Sequence, residues 1–275
     1  RSQGLWAMGC IYGLENPFLS GRFRGSRNWI PFFEMKYWII IALLVVGCSR
    51  EESPRCWKRQ GAVNTDFRSL PSFRYIDLQD KIDLVLIPST ENEAAVLAGD
   101  RLQHYLITEV VNDTLIIRDD NTCDWLRRFD AMREVRLKYT DLTGIFYQGA
   151  GNVTCTDTIR SVKFGVESLH GAGSVDLDVV ADTTYTSLVF GPANITFNGR
   201  TDIAYAYSLG FGTIDLSNLE SRIADVNNAN TSVIRVNPSE FLICWIQYLG
   251  DVYYHQQPDS IKLDDEGDGQ LIPAF

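Results

Sequence analysis

The chain has 275 residues, 45% of them hydrophobic and 22% charged, with a formal net charge of −10 and a sequence pI near 4.8. That is enough apolar material for a sizeable core, in one large domain or two small ones. The acidic balance excludes a phosphate-binding basic face, and with it a nucleic-acid partner, and it disfavours simple electrostatic attraction to anionic lipid.

Taken in chain order, the first feature is an uninterrupted apolar run, Trp38 to Val46, which follows Lys36 and ends in Gly47-Cys48. The run is too short to span a bilayer and reads as the core of a signal peptide. Val45-Val46-Gly47-Cys48 resembles a bacterial lipobox. The resemblance implies a diacylated Cys48 at the mature N-terminus, where several acyl chains give stable anchoring; a non-lipidated signal with an incidental cysteine is the alternative. Met35 is the expected initiator, 1–34 an expected upstream extension of the gene, 35–47 the signal peptide, and 48–70 a polar tether. Without residues 1–47 the balance is 20 cations against 33 acids. The Ser49-Arg50-Glu51-Glu52 start of the tether is either a surface-export signal or a solvated acidic segment. Residues on either the periplasmic or the outer side of an outer membrane are compatible with it.

From Phe73 the sequence alternates, with Ile76/Leu78 and Ile82/Leu84/Leu86 up to Pro88 reading as strands. Ala94–Ala98 and Thr114–Ile117 are further strand candidates, Leu102–Thr108 one or two helical turns, and Val135/Leu137/Tyr139 and Ile145 lead into a glycine-rich repeat. That repeat is Gly149-Ala150-Gly151-Asn152-Val153, then Gly171-Ala172-Gly173-Ser174-Val175, then weaker units at Gly191 and Gly210. The apolar residues that close the units, Val153, Val175, Ile195, Ile214, Val233, Val252 and Leu271, form one column with steps near 20. Ala204, Ile223, Leu242 and Ile261 form a second. A fixed period of this length marks a solenoid, and pairs such as Val175/Leu177 and Ile214/Leu216 make its rungs strands. The glycines before the column are expected at corners with positive φ.

Phe73-Arg74-Tyr75-Ile76-Asp77-Leu78, Ile82-Asp83-Leu84-Val85-Leu86 and the repeated Gly-Ala-Gly-x-Val together resemble one family over roughly residues 70–270. It is the GIN domain, also called the putative auto-transporter adhesin head domain, common in lipoproteins of Bacteroidetes. The resemblance implies an all-β fold, a single-stranded right-handed parallel β-helix with rungs of about 20 residues, over 71–275. It supplies no catalytic residue.

The chemistry of the side chains is sparse. Asp176 and Asp215, outward and two rungs apart at about 9.6 Å, are at the wide end of an inverting glycosidase pair, and Asp178 could join them on calcium; a solvated acidic face is the plainer account. His104, His170 and His255 are scattered, and no nucleophile elbow, phosphate loop or C-x-x-C is present. No cofactor or metal is expected. Beyond Cys10 and Cys48, four cysteines (Cys56, Cys123, Cys155, Cys244) permit three pairings, with Cys155 and Cys244 expected as buried thiols. Asn112, Asn152, Asn194 and Asn230 stand in sequons but are expected as turn residues. The outward columns are expected to turn apolar at the last rungs, making Ile234, Tyr253 and His255 a candidate binding patch unless the tail from Leu263 caps it. Two functions remain: a non-catalytic envelope protein, lipid-anchored in the membrane and binding a glycan or an envelope protein, or a carbohydrate-active β-helix enzyme.

Overall fold

The structure is a computed structural model that describes residues 61–121 and 132–275. The signal peptide, Met35, Cys48 and its tetrapeptide, Cys56 and Cys123 lie outside the described residues.

The fold is all-β, a parallel β-solenoid, as the repeat predicts. Its regular part is built from long strands that bend once in their middle: β11 (Ser174–Leu188), β12 (Asn194–Ser208), β13 (Ile214–Asn228) and β14 (Ile234–Ile246). Each pairs in parallel with the next. The first half of each strand contributes to face one of the solenoid and the second half to face two. A short loop then closes the rung. β10 (Ile159–Ser168) precedes this stack, and β15 (Val252–Tyr254), β16 (Ser260–Asp265) and β17 (Leu271–Pro273) complete it.

At the other end the chain does not stack in sequence order. β2 (Tyr75–Leu78) and β3 (Asp83–Pro88) form one rung. β6 (Thr114–Asp119) and β7 (Arg133–Tyr139) add on one side of it, and β8 (Gly144–Tyr147) and β9 (Val153–Cys155) on the other. The earliest rung is thus held between two later ones. β4 (Glu93–Gly99) runs antiparallel to β7, and β5 (Leu106–Val111), entered through a single 3-10 turn at Gln103–Tyr105, runs antiparallel to β6. β1 (Val63–Ser69) lies antiparallel to β4, inside the stretch read from sequence as tether. Its exposed, poorly alternating side chains hid it. Arg68 pins it by donating to the Gln103 carbonyl at 2.9 Å and to Thr108 Oγ1 at 3.0 Å.

The core column differs from the sequence-based expectation at one place. Hydrogen-bonded register places Ile234, not Val233, beside Ile214, so the steps from Val153 to Leu271 run 22, 20, 19, 20, 18 and 19. Ile234 is 0% exposed. The second column shifts in step: Ala204 pairs with Ala224, and Ala224 with Leu242. The cause is an extra residue in β13, where Asp215–Leu219 spans the length that Thr196–Gly199 spans in β12. Such a bulge re-aims every side chain beyond it.

The corner glycines also act differently from expectation. Gly151, Gly173 and Gly212 are not among the residues with positive φ; Gly191 is, at 88°. What the first three provide is close approach. A Cβ on Gly212 would fall on the Ala193 carbonyl, and one on Gly173 would meet the Gly151 carbonyl and the Tyr147 hydroxyl. Tyr147, fully buried, fills the corner from within and accepts from the Gly173 N–H at 3.0 Å. Where the Gly-Ala-Gly unit is missing, asparagine takes over. The Asn228 amide donates to the Ser232 and Asp251 carbonyls, and buried Asn230 donates to Ser208 Oγ.

Candidate binding face

Face one presents the carboxylates singled out in the sequence, and their partners occupy them. Asn198 Nδ2 donates to both Asp176 and Asp178 at 3.2 Å. Asp215 accepts from the Ser217 N–H at 3.0 Å and from its hydroxyl at 2.6 Å, and faces Arg235 at 3.7 Å. The corrected register is what brings Arg235 there: the outward column reads Asp176, Thr196, Asp215, Arg235, Tyr253. Among the described residues no group of three or more His, Cys, Asp or Glu is placed to hold a metal ion.

The expected patch of Ile234, Tyr253 and His255 does not form. Ile234 is core, and Val236 is buried beside Tyr254 in the inward register. Tyr253 stays outward, with the Arg235 guanidinium 5.8 Å from its ring centroid. His255 lies past the end of β15, its N–H donating to the Val236 carbonyl at 2.9 Å and its Nε2 enclosed by protein. The tail does not fold over the end either: β16 and β17 add a last rung, in which the inward-register Ile261 and Leu263 remain 37% and 43% exposed.

The cysteines at 155 and 244 are free thiols. Cys155 is half-buried and its Sγ accepts from the Asp178 N–H at 3.2 Å. Cys244 is buried, and burial pushes its thiol up to about 12. The sequon asparagines do serve corners: Asn112 has φ 49°, Asn152 accepts from Ser174 at 2.7 Å, and Asn194 accepts from the Thr213 hydroxyl at 2.7 Å.

Face two is where the surface departs most from an ordinary solvated sheet. Its outward columns, read along the stack, are Thr183, Ile203, Ile223, Phe241; then Tyr185, Tyr205, Asp225, Ile243; then Ser187, Tyr207, Asn227, Trp245. Neighbours within a column are about 4.8 Å apart, so Tyr185 and Tyr205 lie side by side, and Asn227 stands between Tyr207 and Trp245. Tyr205 and Tyr207 are exposed at 45% and 38%; Ile203, Ile223, Phe241, Ile243 and Trp245 are half-buried against one another. Tyr185 lies down over Gly165 and reaches Gly144, filling the depression that two glycines leave in the sheet. Tyr75 and Phe146, stacked at 5.9 Å, extend the surface toward the N-terminal rungs. Lys163 and Lys262 close its edges, each over a ring: Lys163 Nζ is 5.1 Å from Tyr185 and Lys262 Nζ 5.4 Å from Trp245. Sequence reasoning passed over this face because it read outward columns only on the first half of each strand. The signal was there: Tyr185, Tyr205 and the Tyr207/Trp245 pair recur near the rung period on the strand halves that were not read outward.

Besides Glu167, which precedes Ser187 in its column, this surface holds the acid Asp225. Burial raises its pKa, and Lys262 opposes the shift only in part. A raised folded-state pKa means that its contribution to stability is present below the unfolded value and is lost as pH rises through the folded one. Asp225→Asn is therefore expected to raise Tm at neutral pH, with a gain that vanishes once the pH falls below the ordinary carboxylate range. Paired thermal melts across that range measure it; an equal gain at both ends would assign the effect to something other than ionisation.

The long strands also meet at a second corner, opposite the loops. There two shallow troughs of about 340 and 370 Å³ share Arg200, Thr201 and Asp202, and their rims carry Arg160, Asp182, Glu220, Arg222 and Glu240. Arg222 and Glu240 pair at 3.0 Å.

Known proteins agree with this architecture. No curated protein matches the chain. Among solved structures, a putative adhesin from Bacteroides fragilis covers 78% of this chain and 97% of its own at 18% identity, with a TM-score of 0.69. From Parabacteroides distasonis, a putative adhesin (16% identity) and a protein described as a putative lipid binding protein (18% identity) each cover 78% of this chain and 98% of their own, both with a TM-score of 0.59. At these identities the fold is what is shared. The sequence itself matches, over residues 72–258, the family described as "putative auto-transporter adhesin, head GIN domain". The match spans more than half of the chain, which therefore belongs to the GIN-domain family.

Proposed function

We propose that this protein is a non-catalytic binding protein of the cell envelope, held at a membrane by a lipid on Cys48, and that it engages its ligand across the aromatic surface of face two. The aromatic residues of this face, exposed Tyr205 and Tyr207 with half-buried Tyr185 and Trp245, carry the reading. An apolar patch of this extent on a soluble domain marks an interaction site. Flat rings interleaved with Ser187, Asn227 and Asp225 suit a sugar chain, whose C–H faces stack on rings while its hydroxyls take hydrogen bonds. Adhesion is also what the family description and the similar structures from B. fragilis and P. distasonis name. Among the described residues no helix is long and apolar enough to cross a membrane; the proposed attachment through a lipid follows from the lipobox-like Val45-Val46-Gly47-Cys48.

The alternative of a carbohydrate-active enzyme draws no support from face one, where Asp215 is engaged by Ser217 and Arg235 and Asp176 by Asn198.

The test is a Tyr205→Ser, Tyr207→Ser, Trp245→Ala variant compared with the parent on glycan arrays and whole cells. Removing the three rings is expected to lower binding by at least roughly tenfold, since truncating even one hot-spot aromatic costs about 2 kcal/mol or more. Tm should move by no more than a few degrees. Binding that survives the variant overturns the assignment to face two, and binding to a protein ligand alone would replace the glycan.

A further inference from the structure

The loops that close the rungs differ in chemistry from the rest of the surface. Five successive corners, residues 148–153, 169–175, 189–195, 209–214 and 229–234, contain no Asp, Glu, Lys or Arg, and the sixth, residues 247–252, holds one charge, Asp251. At the chain's overall charged content of 22%, these 38 residues would carry about eight charges. The charge returns on both sides, at Asp80-Lys81 below and at Asp265, Glu266 and Asp268 above. The opposite corner of the same rungs shows no such exclusion, since Arg160, Asp182, Arg200, Asp202, Arg222 and Glu240 crowd it.

In place of charge, the loop corners carry large apolar side chains at their tips. Phe211 is 73% exposed, and Phe190, Tyr248, Leu249 and Leu209 are all exposed as well. His170 stacks on Phe190 at 5.7 Å. Hydrogen bonds link the corners beneath these side chains: Ala172 N–H donates to the Gly149 carbonyl, Phe211 to Gly191, Gly250 to Asn230 and Gly269 to Tyr248, at 2.8–2.9 Å. A polypeptide edge can enter a medium without water only if its N–H and C=O groups have partners of their own. In this edge the bonds between successive corners supply part of those partners, and groups held at headgroup level keep access to water.

We propose that this ridge of corners rests in the interfacial layer of a lipid bilayer, with Phe190, Phe211 and Leu249 inserted among the acyl chains and Tyr248 at headgroup level. The proposal rests on the lipid-anchor reading for its setting. Fourteen residues separate Cys48 from Val63, a reach of at most about 50 Å, so an anchored domain stays within contact range of the surface. The ridge carries no cation and the chain is acidic, so the lipid that fits is neutral or zwitterionic; anionic lipid adds no attraction.

The experiment uses the full chain carrying Cys48→Ser, so that no acyl chain contributes, with vesicles of phosphatidylcholine. In a Phe211→Trp version, the added emission is expected to shift to the blue on vesicles and to be quenched by brominated phosphatidylcholine. Phe190→Ser with Phe211→Ser and Leu249→Ser is expected to lower the partition coefficient by at least roughly tenfold, with Tm unchanged because the side chains are solvent-exposed. Partitioning should be no stronger on vesicles containing phosphatidylglycerol. An added tryptophan that keeps its water-exposed emission on vesicle-bound protein overturns the proposal, since the N-terminal segment alone is then holding the chain. So does a triple variant that partitions like its parent, or one whose only change is the loss of a dimer in sedimentation, which would make the ridge a contact between copies. The anchor is scored separately, by palmitate incorporation into the wild type and its loss in Cys48→Ala, so failure of one reading leaves the other measurable.

Discussion

Ile234→Asp is expected to unfold the protein at physiological temperature, and Val233→Asp, one residue earlier, to leave it folded. Ile234 sits between Ile214 and Val252 in the central column with no exposure to solvent. A carboxylate there has no cation within the column and must be either buried as a charge or neutralised, a cost of several kcal/mol. Domains of this size carry roughly 5–15 kcal/mol of net stability, so most of it is lost. The rungs above also depend on this one, because each solenoid turn buries its apolar side only against its neighbours. Val233 is half-buried at the loop and offers its carbonyl to Ile214; its side chain can turn a carboxylate into water. Circular dichroism melts of the two variants decide the matter. Equal melting would mean that the register through β13 is wrong.

That pair of residues also shows where the sequence can and cannot be read. Period and alternation identify a strand solenoid, because each rung has to repeat the same inward pattern. They do not locate a bulge. The extra residue between Asp215 and Leu219 is compensated by a shorter stretch in β14, so the spacings 19 and 19 and the true 20 and 18 have the same sum, and a column drawn at constant step passes through Val233 without conflict. From that one slip came the outward placement of Ile234 and the failure to see Arg235 beside Asp215. The N-terminal topology was illegible for another reason. Nothing in local pattern tells β2 and β3 that β6 and β7 will add to one side of them and β8 and β9 to the other; only the tertiary pairing does. The residues of the aromatic face and of the cation-free ridge are all written in the sequence. They become continuous surfaces only when successive rungs are set side by side.

The second large effect is expected from the smallest substitution. Gly212→Ala adds one methyl group, and in the native backbone that group would fall on the carbonyl of Ala193 in the preceding corner. The obstacle is backbone, so no rotamer change relieves it. Either the two corners separate or the rung rotates, and both break the cross-corner hydrogen bonds that run from Phe211 to Gly191 and from Thr213 to Asn194. The cost is expected near 3 kcal/mol or above, at the upper end for overpacking by one carbon, although an alanine in ordinary conformation usually stabilises relative to glycine. The sign of the change is therefore the test. Gly212 lacks positive φ, so a corner that needed glycine only for conformational freedom would tolerate alanine and gain from it. A corner that needs glycine for contact with the next rung will lose several kcal/mol in denaturant titration, with an unchanged m-value if the remaining rungs still unfold together. A stable, or stabilised, Gly212→Ala protein would show that the corners do not stack as closely as the Ala193–Gly212 approach requires.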